Sequence, residues 1–416
     1  LIRRILKSSL FKSTFLYALA RLVNSSIPFL LLPVLTRYLS PADYGVVAMF
    51  GVLLSFAMPF TGASTVGAIA RQYYDGETAD MPGFISSCFL ILAVSTAILG
   101  VLGTVFSGLI SRVASFPAEW LWAVIVVAAA QYVNQVNLTL WQVRVKPIPY
   151  GIYQISQTAL NFGFSLWLVA GLHWNWRGRV GAQVAAFGLF AVFGLVLLIR
   201  QGWLRFRADR KHLRTALAFG IPLVPHGLSG TIKTMADRVI ITGMISIADT
   251  GLYAVGFQVA MVIGLLEDAV NKAYVPWLFE RLKRGLASDK RRIVLMTYAY
   301  CAGLMGLAVL LGITAPRLLE IFAGPRFAGS SRFVIWIAIG FAFDGMYKMV
   351  VNYIFFARRT KSLPWITFSA ALIGVGLNLF VIRRFGAVGA AYTFALMNAL
   401  IFVAVWIVSS RIYPMP

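Results

Sequence analysis

Apolar stretches of about 20 residues follow one another almost from end to end of this 416-residue chain, and that pattern limits what it can become. A run of that length, wound as a helix, matches the hydrocarbon core of a bilayer. Lipid offers no partner for backbone N–H and C=O groups, so only helices or closed barrels cross it. The alternating segments of about ten residues that build a barrel are absent. The sequence therefore specifies an all-α integral membrane protein. With 12% of residues charged and 60% hydrophobic, it has too few charges to clothe a water-soluble domain of this size.

Twelve spans are predicted, over 12–35, 45–70, 84–107, 119–140, 150–172, 180–199, 215–238, 251–275, 293–315, 332–356, 363–382 and 386–410. An even number returns the chain to its starting side. That side carries most of the Lys and Arg outside the spans, concentrated in 200–214 and 281–292; the other side has few, Arg177 and Arg179 among them. The positive-inside rule then places both termini in the cytoplasm. The net charge of +23 is mostly this topology signal, with some attraction to anionic lipid headgroups. No contiguous basic face exists, which excludes a nucleic-acid surface. Arg3, Arg4 and Lys7 imitate the start of a signal peptide, but the apolar stretch after them is too long and lacks a small-residue cleavage site, so it is expected to be the first span.

The chain also repeats itself. Tyr38 to Ala48 reads YLSPADYGVVA and Ile245 to Ala254 reads ISIADTGLYA, so that Ser40, Ala42, Asp43, Gly45 and Ala48 return as Ser246, Ala248, Asp249, Gly251 and Ala254. Val180-Gly181-Ala182 and Val388-Gly389-Ala390 echo one another in the same way, each opening the sixth span of its half. Equivalent segments six crossings apart point the same way, which predicts two six-helix bundles related by a parallel repeat, over 1–206 and 207–416.

Chemistry must be sought among residues that a bilayer would reject. Arg21, Asn24, Ser25 and Pro28 share one helical face, as do Gln154, Gln157, Thr158 and Asn161. Gln131, Asn134 and Gln135 form a third stripe; His226, Ser229, Lys233 and Asp237 a fourth; Glu267, Asp268, Asn271 and Lys272 a fifth; Asp344, Lys348 and Asn352 a sixth. Six polar faces in one bundle predict a wet interior. A charge at mid-span costs about 2.5–3.5 kcal/mol on the insertion scale and is normally paired or lines a cavity. The spacing offers Lys233/Asp237, Asp268/Lys272 and Asp344/Lys348 as i,i+4 pairs. It leaves Arg21 and Glu267 unmatched, with Arg238 near a span end where it is expected to snorkel. The alternative makes the same residues the lining of a polar cavity for an anionic, hydrogen-bonding substrate. Arg21, Lys272 and Lys348 would then attract phosphate oxygens, and Glu267 would carry a coupling proton or sodium ion. His226 is expected in the lumen or core rather than at a metal. Cys88 and Cys301 read as small core residues. No catalytic constellation, metal-ligand set or phosphate-cradling glycine loop occurs, so neither an enzyme nor a cofactor is expected.

Pro33 to Gly45 (PVLTRYLSPADYG), the Asp237-Arg238-Val-Ile-Ile run leading to Ala248-Asp249-Thr-Gly251-Leu-Tyr253, and the turn Gly386 to Ala390 resemble the Wzx-type polysaccharide repeat-unit flippases of the multidrug/oligosaccharidyl-lipid/polysaccharide (MOP) exporter superfamily. The resemblance implies a bacterial inner-membrane protein that moves polyprenyl-diphosphate-linked oligosaccharide to the outer leaflet, the polar head passing through a cavity between the bundles. It implies membrane lipids and polysaccharide polymerase machinery as partners. A single chain suffices for such a cavity, so a monomer is expected. A peptidoglycan-precursor flippase and a drug antiporter would share the architecture. Five basic groups in or bordering the spans speak against a cationic drug. A membrane polymerase or ligase would need a larger outer loop, and a scaffold would need no polar stripes.

Overall fold

The computed structural model describes residues 24, 26–27, 29–75, 80–205, 208–359 and 363–415. Arg21, Ser25 and Pro28 of the first stripe lie outside the described residues, as do both sides of the expected 206/207 boundary. Among the described residues every regular element is helical: α1 (Phe29–Tyr38), α2 (Pro41–Ala57), α3 (Val66–Tyr74), α4 (Met81–Val105), α5 (Ser107–Ala114), α6 (Leu121–Val143), α7 (Pro147–Ser165), α8 (Asn175–Arg200), α9 (Arg210–Gly220), α10 (Leu223–Met244), α11 (Ile247–Arg284), α12 (Ala287–Ala323), α13 (Ser331–Phe356), α14 (Leu363–Phe385) and α15 (Val388–Ile412). Each predicted span from 45–70 onward contains described helix, and the first, 12–35, is described only from residue 24, with α1 at its end. Among the described residues eight helices are long and apolar enough to cross a bilayer, and a ninth is counted if α2 and the segment from Thr61 to Tyr74, bent by 57°, form one broken span.

That bend has a local cause. Gly62, Ala63 and Ser64 take left-handed backbone angles, with φ of 65°, 47° and 55°, which no α-helix can continue through. The Tyr132 ring lies against Gly62 so closely that a Cβ there would fall 2.1 Å from it. The Gly62 N–H freed by the break donates to Ser95 Oγ at 2.8 Å. The bend is thus built into the packing of α6.

The chain divides into two compact units, one running from the described start to Leu39 and over Val46–Thr231, the other comprising Ser40–Gly45 and Ile232 onward. In the first, Phe84, Ile85, Val136, Leu140 and Leu198 are buried together with Ala216 of α9. The hydrophilic connector is therefore packed: Ser86 and Ser87 hydroxyls accept from the backbone N–H of Arg205 and Asp209, and Asp209 caps α9 by accepting from Lys211 N–H.

In the second unit α13 packs against α11, α12 and α15. The repeated motif proves to be a pair of helix starts. Ser40 Oγ accepts from Asp43 N–H at 3.1 Å while Asp43 Oδ2 accepts from Ser40 N–H at 3.1 Å. Ser246 caps α11 by accepting from Asp249 N–H at 3.0 Å, and its hydroxyl donates to Asp249 Oδ2 at 2.7 Å. The first is a capping box with Asp in the usual Glu position, and the second shares its Ser N-cap and its Asp. The two starts meet reciprocally. A Cβ on Gly45 would lie 2.0 Å from the Ile247 carbonyl oxygen, and one on Gly251 would lie 1.9 Å from that of Pro41. Pro41 and Ile247, like Gly45 and Gly251, are equivalent positions of the repeat.

Candidate functional site

Lys348 on α13 reaches across to α11. Its Nζ lies 2.6 Å from Asp268 Oδ1, 3.1 Å from Glu267 Oε1 and 3.0 Å from Asp344 Oδ2 on its own helix. One turn along, Asn352 Nδ2 donates to Asn271 Oδ1 at 2.9 Å, so the steps Asp344–Lys348–Asn352 on α13 and Glu267–Asn271 on α11 form a polar ladder. Glu267 is 1% exposed and its Oε2 has no partner among the described residues. Room for that carboxylate exists because position 345 is glycine; a Cβ there would sit 2.5 Å from Oε2. One ammonium faces three carboxylates, an arrangement able to take up further positive charge.

The charges do not pair as spacing alone proposed. Asp344/Lys348 forms, but Asp268 turns to Lys348 and leaves Lys272 exposed, without an ion pair among the described residues. Lys233 is likewise exposed, and Asp237 pairs instead with Arg238 at 3.0 Å. Arg238 does not snorkel. It is buried, donates to Thr234 O at 2.8 Å and lies with its guanidinium 4.4 Å from the Phe257 ring centre. The Tyr253 hydroxyl donates to the second oxygen of Asp237. Both charges are thus satisfied within the protein, which fastens α10 to α11. His226 is exposed rather than in a core. Lys233, Asp237 and Asp344 line a cavity of about 190 Å³ together with Asn378, Thr393 and Asn398.

The first unit holds a different chamber, of about 340 Å³, between α6, α7 and α8. Gln154, Gln157 and Asn161 line it from α7, joined by Gln131, Asn134 and Gln135 of α6 and by Asn24. The Thr158 hydroxyl lies 2.5 Å from Asn24 Oδ1 and 2.7 Å from Gln154 O. Gln154 Oε1 and Gln157 Nε2 are buried with no partner among the described residues. Arg179 also reaches this chamber. The span map put it in an outer connector, but α8 begins at Asn175 rather than 180, which carries Arg179 into the helix. Its Nη1 donates to Asn161 Oδ1 at 2.8 Å and to Ser165 Oγ at 2.7 Å. The available signal was the stretch Asn175 to Arg179, polar enough to end an apolar span and still able to begin a helix.

Comparison with known proteins places this geometry. The polysaccharide biosynthesis protein family matches residues 10–281. An uncharacterized membrane protein of Haemophilus influenzae is 27% identical over 380 residues, covering 88% of this chain and 89% of its own. Among solved structures, the lipid II flippase MurJ in its inward closed conformation superposes with a TM-score of 0.77 at 12% identity, over 95% of this chain and 87% of that one. An inward-facing multidrug resistance MATE family transporter of the MOP superfamily gives 0.67 at 15% identity, over 93% and 94%. The fold is accordingly of the MOP type, in a multi-pass membrane protein.

Proposed function

The chain belongs to the polysaccharide biosynthesis protein family, and from that premise we propose that it is a flippase for polyprenyl-diphosphate-linked oligosaccharide repeat units. It carries them from the cytoplasmic to the outer leaflet by alternating access, to supply cell-surface polysaccharide synthesis. The carrying observation is the amide-lined chamber inside a membrane-spanning bundle. A polar cargo needs such a lining because lipid gives its hydroxyls nothing to bond. The name of MurJ, a lipid II flippase, supports the same transport class.

In this reading the protein resides in the bacterial inner membrane as a monomer with both termini in the cytoplasm, delivering its cargo to polymerase machinery. Arg21 and the exposed Lys272 meet diphosphate or acidic sugar. The Glu267 carboxylate, sealed beside Lys348, exchanges the coupling proton or sodium ion. Glu267→Gln then abolishes the dependence of transport on the ion gradient; an unchanged dependence refutes that role. The reading as a whole is tested by removing the protein and locating lipid-linked glycan with a sugar label and a membrane-impermeant probe. Full-length units trapped in the cytoplasmic leaflet are expected. Units that reach the outer leaflet unpolymerised would overturn it in favour of an enzyme.

A further inference from the structure

We propose that the chamber of the first unit is a subsite for one acidic sugar residue of the cargo, its ring held by the α6 and α7 amides and its carboxylate by Arg179. The assignment rests on the flippase reading and names a part of the glycan. Three observations carry it.

The first is the lining. A primary amide both donates and accepts, as a sugar hydroxyl does, so a wall of amides matches vicinal hydroxyls in either sense. No carboxylate is among the described residues lining the chamber. A cation-binding pocket would need acceptors concentrated at one point, and here donors and acceptors are mixed.

The second is the unpaired polar atoms. Gln157 is 7% exposed, lines the chamber and has an amide nitrogen with no partner among the described residues; the Gln154 oxygen is in the same condition. Leaving a buried donor or acceptor unmade costs about 1–3 kcal/mol, and a bound hydroxyl would remove that penalty at both.

The third is Arg179, the one charged residue among the described lining. Its bonds to Asn161 and Ser165 fix the plane of the guanidinium, whose fork matches a carboxylate. One guanidinium among the neutral amides of the described lining suits a monoanion carried on a hydroxyl-rich ring. About 340 Å³ lies at the small end of ligand pockets, enough for a portion of the glycan head rather than a whole repeat unit.

The test uses the full-length protein purified in detergent and saturation-transfer NMR with methyl glucuronide and methyl glucoside, with inorganic pyrophosphate added as a competitor and ranked by the loss of sugar signal. Methyl glucuronide is expected to bind about tenfold more tightly than methyl glucoside, the gain of one charge-assisted hydrogen bond. Arg179→Gln should equalise the two sugars, while Gln157→Leu should weaken both alike. Ser165→Ala, which retains the charge and removes one of the bonds aiming it, should shrink the preference and guards against misfolding of the Arg179 variant. Equal binding of the two sugars by the unaltered protein, a preference that survives Arg179→Gln, or stronger binding of pyrophosphate than of glucuronide would each overturn the subsite. Translocation without uronide preference sinks the subsite alone. Uronide binding without translocation in the leaflet assay supports the subsite and sinks the flippase reading.

Discussion

Gly45→Ala is the sharpest test of the helix-start contact. The new methyl group would lie 2.0 Å from the Ile247 carbonyl oxygen, whereas ordinary contact begins at 3.4 Å, so α2 and α11 must part by about 1.4 Å. The obstructing atom is helix backbone and cannot rotate aside. Overpacking costs typically about 1–3 kcal/mol, and a backbone clash belongs at the upper end. Gly251→Ala demands almost the same separation, since its methyl group would lie 1.9 Å from Pro41 O. One movement relieves both clashes. The double variant should therefore cost little more than either single, a departure from additivity of about 2 kcal/mol. The assay is heat denaturation of the purified protein, read as the fraction remaining monodisperse. Each single variant should lose roughly 5–10 °C, at about 2–4 °C per kcal/mol for units of this size. Gly51→Ala, on the same helix with nothing within 4 Å of the added carbon, is the control. If Gly45→Ala melts with that control, or the double variant doubles the loss, the reasoning fails.

Lys348→Ala leaves Glu267 buried beside two other carboxylates with no cation and should cost about 3–5 kcal/mol. A lowered melting midpoint, partly restored by adding Glu267→Gln, would bear this out. Tyr253→Phe removes the donor to the buried Asp237 carboxylate, for a loss of about 1–3 kcal/mol in the same assay. Lys272→Ala, by contrast, alters an exposed side chain without an ion pair among the described residues. It should change stability by less than about 0.5 kcal/mol while reducing translocation in the leaflet assay.

What the sequence disclosed and what it withheld divide along range. Apolar length and the repeated motif are properties of one segment, and helices stand where the apolar stretches lie, with the capped starts at Ser40 and Ser246 in the two copies of the motif. The partners of the charges depend on which helices adjoin and in what register. An i,i+4 pair on an isolated helix contributes about 0.2–0.5 kcal/mol. Lys348, half-buried among three carboxylates, attracts more strongly in its lower dielectric, so Asp268 goes to it and Lys272 turns outward. Asp237 finds Arg238 for a similar reason, because Tyr253 and Phe257 of the neighbouring helix close over both. Arg179 escaped notice because hydropathy sees where a span stops being apolar, and α8 starts before that point. The amide stripe of α7 was legible from its spacing; that two of its amides lack partners required the packed structure.

The reciprocal contact of Gly45 and Gly251 also bears on how such a chain changes over generations. Two copies of a segment that merely descend from one ancestor are free to drift apart. Here each copy is the surface against which the other is fitted, with Gly45 against Ile247 and Gly251 against Pro41. A side chain gained on one side must be answered by a displacement of the other, so selection reads the two positions as one. The echo between residues 38–48 and 245–254 thus falls where two helix starts are fitted against each other, so that a side chain at either glycine is a change to both.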